Sequence, residues 1–216
     1  MNDSVRRRGR PARLSRETIL TVAEEIVESE GIAGLTMRGV ATRLSSSPMA
    51  IYRHVRDKDE LLLLLLDRIA AALDRPELPE NPRQRLVVLW RMIHDTLAAH
   101  PWVVSVLVSG DLASRSILWA VEEILQAFLA CGLTRGQAAA AYRTVWQYTV
   151  GVLTIRIAMT RAGSEPEHPR FQALMIASAD PEQTPTIASF AAEWPHPWEN
   201  YEYGLESVLD GLIARS

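Results

Sequence analysis

Five side chains between residues 38 and 58 carry the plainest chemistry in this chain: Arg38, Arg53, His54, Arg56 and Lys58. Guanidinium and ammonium groups gathered in one short stretch neutralise phosphate. An arginine can also pair with two acceptors on the edge of a guanine. A second cationic stretch, RRRGRPAR at 6–13, precedes them and includes Arg7, Arg8 and Arg10. A flexible arginine arm suits the DNA minor groove, where narrow A·T tracts concentrate negative potential. Its Arg-Gly-Arg-Pro core resembles an AT-hook. Covalent chemistry leaves no comparable trace. The sequence has no Gly-rich phosphate loop, nucleophile elbow, HExxH or CxxC, and no histidines or carboxylates at convincing metal spacing. No catalytic residue, metal ligand or cofactor is expected, and the chain reads as a non-enzyme.

Short helices must hold those cations on one face. Thr36 can cap the first, because its hydroxyl can accept from an unpaired backbone N–H. Val40, Ala41 and Leu44 form its inward stripe. Ser45, Ser46 and Ser47 break it. Ser47 then caps a second helix with Pro48 at its first position, and Ile51 and Val55 point inward. A short helix, a tight turn and a second short helix with a basic rim form the helix-turn-helix arrangement that places a helix in the major groove.

The surrounding pattern predicts an all-α chain. A helix over 16–30 is capped by Ser15, ended by Gly31 and lined by Ile19, Leu20, Ala23, Ile26 and Val27. A fourth helix follows Asp57, which caps it while Glu60 can reach back, and runs to about 73. RPELPENP at 75–82 cannot continue a helix and reads as a joint. Beyond it helices are expected over 82–100, with Leu86, Leu89, Trp90, Ile93 and Leu97 inward, over 101–108, over 113–130 and over 134–161. Thr134 and Gln137 form a capping box for the last of these. Residues 163–181 read mainly as a loop, 185–193 as a possible helix, and 198–214 as the final helix. Tyr201, Leu205, Val208, Leu209 and Leu212 lie on its buried side. The expected organisation is a basic arm over 1–14, a helix-turn-helix domain with its connecting helix over 15–74, a linker over 75–82, and a larger helical domain over 83–216.

Charge is partitioned along the chain. Its net charge is -3, which does not by itself suggest nucleic acid. Residues 1–58 hold eleven Lys or Arg against seven Asp or Glu, whereas 59–216 hold twelve against nineteen. A basic end on an acidic body turns one face toward phosphate. The single cysteine, Cys131, excludes an intrachain disulfide and reads as a small apolar residue at a helix end. The apolar run at 61–66 is far too short to span a membrane, and the basic N-terminus lacks an apolar signal region. A soluble, cytoplasmic protein is expected.

With Glu30-Gly31 ending the first helix, then LTMRGVATRL and PMAIYRHVRDKDELL, the chain resembles the TetR family of bacterial transcriptional regulators. The most specific part is Tyr52-Arg53-His54-Val55 followed by Lys58, Glu60 and Leu61. His100-Pro101-Trp102, Gly132-Leu133-Thr134, Ala141-Tyr142 and the terminal YEYGLESVLDGL are similar to the C-terminal domain of one TetR subgroup. The resemblance implies an N-terminal three-helix DNA-binding domain joined to a larger ligand-binding and dimerisation domain. It places Arg38, with Thr36 and Met37 beside it, at base edges or phosphate. Tyr52, His54 and Lys58 would hold the phosphate backbone, and Ser47, Pro48, Met49, Ala50 and Arg53 would face the major groove. The turn departs from the family pattern, with Ser45 and Ser46 where a glycine and a branched apolar residue are usual. A left-handed residue costs serine more than glycine. Pro48, Met49 and Ala50 carry no side-chain donors and cannot read guanine, so Arg38, the turn serines, the basic arm and DNA shape carry more of the specificity.

The second domain has two expected tasks. Two-fold dimers are the usual way for helix-turn-helix proteins to read palindromes. The expected seam pairs the helix from Thr134 with the last helix, through Gly151, Ile155, Tyr201, Gly204, Leu205, Val208 and Gly211. The resemblance also implies a pocket for a small-molecule effector among Trp90, His94, Trp102, Tyr142, Trp146 and Thr149, an aromatic set with few polar groups. The expected function is a ligand-responsive, dimeric regulator of double-stranded operator DNA, most simply a repressor released by a small apolar or amphipathic effector. The competing reading is a constitutive or architectural DNA binder without a ligand.

Overall fold

The computed structural model describes residues 14–109, 114–161, 171–191 and 201–214, and every regular element among them is a helix. Two compact units divide the chain: the first runs to Ala72 and takes in Ser114, and the second holds the remaining described residues.

The first unit holds α1 (Arg16–Gly34), α2 (Met37–Arg43), α3 (Pro48–Tyr52) and α4 (Lys58–Ala71). Each begins on a side chain chosen for capping. Ser15 accepts from Thr18 N–H in a reciprocal capping box, Thr36 accepts from Gly39, Ser47 from Ala50 and Asp57 from Glu60. Gly31 interrupts α1 with φ 72° and ψ 179°, so the regular helix stops where expected and one further turn follows. The apolar stripe of α1 is buried, as are Val40 and Ala41 of α2, Ile51 of α3, Val55, and Leu61, Leu62, Leu65 and Leu66 of α4. α1 therefore packs on α2 and α4, while α2 packs on α3. One detail corrects the expected cap: the Glu60 carboxylate reaches back to the N–H of Arg56, not to that of Asp57.

The second unit holds α5 (Pro82–Ala99), α6 (Pro101–Ser109), α7 (Leu118–Ala130), α8 (Arg135–Arg161), α9 (Phe171–Ala177), α10 (Pro185–Ser189) and α11 (Tyr201–Ile213). Its core is built by α5 and α8. α5 packs on α6, α7, α8 and α11, and α8 also packs on α6, α7 and α11. Asn81 caps α5 ahead of Pro82, and Thr134 with Gln137 forms the box that opens α8. Three elements differ from expectation, one of them α10, which ends at Ser189 rather than 193 because the chain turns at Phe190 and Ala191. α7 starts at Leu118 rather than 113, because Leu118 N–H closes a turn on the Arg115 carbonyl and Ile117 offers no capping side chain. α9 occupies part of the expected loop: FQALMIA contains no glycine or proline, and Ile176 is buried. α9 and α10 pack on each other. No described helix is long and apolar enough to cross a membrane.

Candidate nucleic-acid interface and sensor core

The turn between α2 and α3 sets the angle of the whole interface. Ser45 takes φ 49°, the left-handed region. Ser45 N–H donates to Thr42 O at 3.0 Å and Ser46 N–H to Ala41 O at 2.9 Å. This is a Schellman closure, which satisfies two carbonyls at the end of α2 and usually employs glycine at the left-handed position. Serine holds it here despite its Cβ, which makes the left-handed φ costlier than it is for glycine.

Past the turn, α3 presents its outer face. Met49 is 70 % exposed and Tyr52 46 %, with Ser47, Pro48 and Arg53 also exposed and Ala50 half-buried. On α2, Arg38 is exposed, Met37 half-buried and Thr36 exposed. The hydroxyls of Thr36 and Ser47 accept backbone N–H bonds at 3.0 Å and 3.3 Å, which leaves each O–H hydrogen for another acceptor.

The cations of the rim fall into two groups. Arg38 and Arg53 have no carboxylate partner among the described residues, whereas Arg43 pairs with Glu30 and Arg56 with Glu60. Lys58 is half-buried and its Nζ donates to the Ile32 carbonyl at 2.7 Å, just beyond the Gly31 break. Cationic charge at a helix C-terminus is favourable, so Lys58 has a structural task that the sequence did not reveal. His54 is half-buried, and its backbone carbonyl accepts from Arg16 Nη2 at 3.3 Å. Arg16 Nη2 also meets Glu60 Oε1 at 3.4 Å. Arg56 binds Glu60 Oε2 twice, through its backbone N–H at 2.6 Å and its Nε at 3.2 Å. That backbone hydrogen bond, reinforced by the two guanidinium groups, holds the Glu60 carboxyl below the usual carboxylate range. Of this hub, only the i,i+4 spacing of Arg56 and Glu60 is visible in the sequence. Arg7, Arg8 and Arg10 lie outside the described residues.

In the second unit, Tyr201 is the organising side chain. Its ring stacks on His94 at 3.8 Å and on Tyr148 at 5.6 Å between centroids. Its hydroxyl lies 3.0 Å from Thr149 Oγ1 and donates to the Trp90 carbonyl at 3.3 Å. Burial pushes the Tyr201 phenol well above its ordinary pKa. Trp90 and Tyr142 rings lie 5.5 Å apart, and Trp146 is half-buried. Thr149 has no accessible surface, and its hydroxyl is engaged by Tyr201 and by the Val145 carbonyl. The indole N–H groups of Trp90 and Trp102 are buried and without a partner among the described residues. Such groups are uncommon in a finished core. Among the described residues, none of the clusters of His, Cys, Asp or Glu suits a metal ion.

The expected seam residues separate by burial. Tyr201 and Leu205 are buried within the single chain and offer no surface to a second copy, which places them in the core of this unit. A Cβ on Gly204 would collide with the Tyr148 hydroxyl, so that glycine serves an intrachain fit. Ile155 is exposed, Val208 is half-buried, and Gly151 and Gly211 face open space. An apolar cleft of about 300 Å³ lies between α6 and α8, lined by Val104, Ser105, Val108, Thr154, Ile157 and Ala158. None of the six expected effector residues lines it.

Comparison with known proteins gives this arrangement relatives. Residues 19–65 match the model described as bacterial regulatory proteins, tetR family, and residues 75–216 match the tetracyclin repressor-like C-terminal domain. The chain is 32% identical over 220 residues to the HTH-type transcriptional repressor DrrR1 of Streptomyces coeruleorubidus, covering 95% of this chain and 79% of that one. It is 25% identical to the tetracycline repressor protein class A from transposon 1721 of Escherichia coli, covering 94% and 92%. The fold is shared with ActR of Streptomyces coelicolor, solved in complex with actinorhodin: TM-score 0.80, 21% identity, and 95% and 98% of the two chains covered.

Proposed function

The chain belongs to the TetR family of bacterial regulatory proteins, which are non-enzymatic DNA-binding transcription factors, and on that premise we propose a specific mode of action. It is a repressor that binds a palindromic operator as a homodimer and leaves it when a small apolar or amphipathic effector occupies the second unit. The work divides among a basic arm over 1–14, a DNA-reading domain over 15–74, a linker over 75–82 and a sensor and dimerisation domain over 83–216, acting in the cytoplasm.

The observation that carries the reading is the pair of exposed guanidinium groups, Arg38 on α2 and Arg53 at the end of α3, neither with a carboxylate partner among the described residues. Arg38 reads a guanine edge. Thr36, Met37, Ser47, Pro48, Met49, Ala50 and Arg53 form the groove-facing surface, and Tyr52, His54 and Lys58 grip phosphate. Arg7, Arg8 and Arg10 reach the minor groove. Phosphate contacts set the register while base contacts set the sequence. Two copies meet along α8 and α11 through Gly151, Ile155, Val208 and Gly211, which keep accessible surface or open space.

The indole N–H groups of Trp90 and Trp102, without a partner among the described residues, support an effector among aromatic rings, with His94, Tyr142 and Trp146 as further contacts. ActR, which shares the fold, was solved in complex with actinorhodin, and that accords with an effector for this chain. An effector releases DNA only by binding the non-DNA conformation more tightly. The test is selection of bound duplexes from a random pool by the full chain, followed by a compound screen for release. Recovery of a two-fold symmetric sequence and at least one releasing compound supports the reading. Recovery of unrelated sequences, or no release by any compound, rejects it.

A further inference from the structure

Resting on the DNA-binding reading above, we propose that Arg16 and Arg56, held by Glu60, form a preassembled site for one or two DNA backbone phosphates. Glu60 is the positioning residue of this site. Arg56 is one of the rim cations, but neither arginine has been given a DNA contact above, and Arg16 lies outside the helix-turn-helix.

The geometry gives three reasons. First, the two guanidinium groups converge on one carboxylate from elements far apart in sequence. Arg16 stands at the start of α1, and Arg56 in the turn between α3 and α4. Their contacts with Glu60 are 3.4 Å and 3.2 Å. Second, both cations keep capacity to bind an anion. Arg56 is 81 % exposed and Arg16 53 %, while Glu60 is only 20 % exposed beneath them. Arg56 spends its Nε on Glu60, which leaves both Nη groups without a partner among the described residues. Arg16 spends Nε and Nη2 on His54 O and Glu60, which leaves Nη1. Glu60 neutralises one of the two guanidinium charges, Asp57 and Asp59 stand exposed on the same turn, and what the arginines keep is their free Nη groups, which can bind phosphate oxygens in a fork. Third, the site lies at the recognition helix. Arg16 reaches the carbonyl of His54, two residues beyond the end of α3, so its guanidinium travels with that helix.

The site adds to the cations Arg38 and Arg53, which are exposed on α2 and at the end of α3. Lys58 spends one hydrogen on the Ile32 carbonyl and is half-buried, so Arg56 is the more exposed cation at the α3–α4 turn. A carboxylate so near DNA would ordinarily repel phosphate. Here it fixes two arginines whose combined charge exceeds its own, and its rigidity limits the side-chain entropy lost on binding.

The experiment measures affinity of the full-length chain against salt concentration for two probes: a duplex selected by the wild-type chain from a random pool, and a scrambled duplex of equal length. Each lost phosphate contact lowers the slope of log K against log salt by about 1. Arg56→Gln keeps the backbone N–H bond to Glu60 and is expected to lower the slope by about 1 on both probes. Arg16→Gln/Arg56→Gln is expected to lower it by about 2. Glu60→Gln adds net positive charge yet is expected to weaken binding to the selected duplex several-fold, because the forks lose their anchor. An unchanged slope in Arg56→Gln overturns the phosphate site. Tighter binding of both duplexes by Glu60→Gln overturns the positioning role. If the wild-type chain binds neither duplex, the DNA-binding reading itself fails, a result separate from either of these.

Discussion

The Lys58 ammonium donates to the Ile32 carbonyl at 2.7 Å, tying the first residue of α4 to the turn that follows the Gly31 break in α1. This joins two elements that the helix-turn-helix rests on. Lys58→Ala is expected to destabilise the first unit by about 1–2 kcal/mol, the range for a charge-assisted bond that is partly shielded from water. Denaturant unfolding of the full chain measures it. Affinity for all DNA sequences should fall together, and a fall restricted to one sequence would contradict a phosphate or structural role.

Arg38 is expected to act differently. It is exposed and without a carboxylate partner among the described residues, at the start of α2. Arg38→Ala should relax discrimination at one guanine position by about 1–3 kcal/mol and leave affinity for scrambled DNA much less affected. Repeating the random-pool selection with the variant reads this directly. An unchanged preferred sequence at unchanged affinity would remove Arg38 from base reading.

Ser45 carries the cost of its left-handed φ of 49°. Ser45→Gly is expected to raise stability by about 0.5–1 kcal/mol, the relief of the Cβ clash less the added freedom of the unfolded chain. Thermal unfolding checks it, and a lower Tm would show that the serine side chain contributes more than its conformation costs.

Much of this was open to sequence reading because it is local. Ser15, Thr36, Ser47, Asp57, Asn81 and Thr134 each stand directly before an apolar stripe, and all six cap the helix that follows. A cap and its stripe lie within a few residues, so their pattern survives in one dimension. The Arg16–Glu60 contact joins residues 44 apart and leaves no periodic trace. The same limit applies to α11. Its stripe records which face is apolar, not whether that face packs on its own chain or on a second. Tyr201 and Leu205 carry the same spacing as seam residues yet are buried within one chain, and Gly204 makes room for Tyr148. The α9 segment was legible only as a weak apolar patch, because seven residues give less than two helical turns of period.

Tyr201 gives the second unit an alkaline limit. Its phenol is pushed up by burial, and Tyr142 is raised for the same reason. A phenol that ionises near pH 10 when unfolded holds its proton longer when folded. Stability from these groups is therefore fully present at neutral pH. It declines as pH rises above about 10, toward the folded values. Tyr201→Phe should flatten that decline and cost about 1–2 kcal/mol at neutral pH, through the lost bonds to Thr149 and the Trp90 carbonyl. Unfolding curves from pH 7 to 11 measure both effects, and an unaltered alkaline decline in the variant would assign it elsewhere.

The central claim is that two copies of α3 read two related half-sites. A hydroxyl-radical footprint on a duplex selected from a random pool tests it most directly, with the stoichiometry measured by sedimentation of the same complex. The account predicts protection symmetric about a dyad, with half-sites about one helical turn or a multiple of it apart, and an even number of chains bound. Protection without a dyad, spread evenly along any duplex, would contradict it.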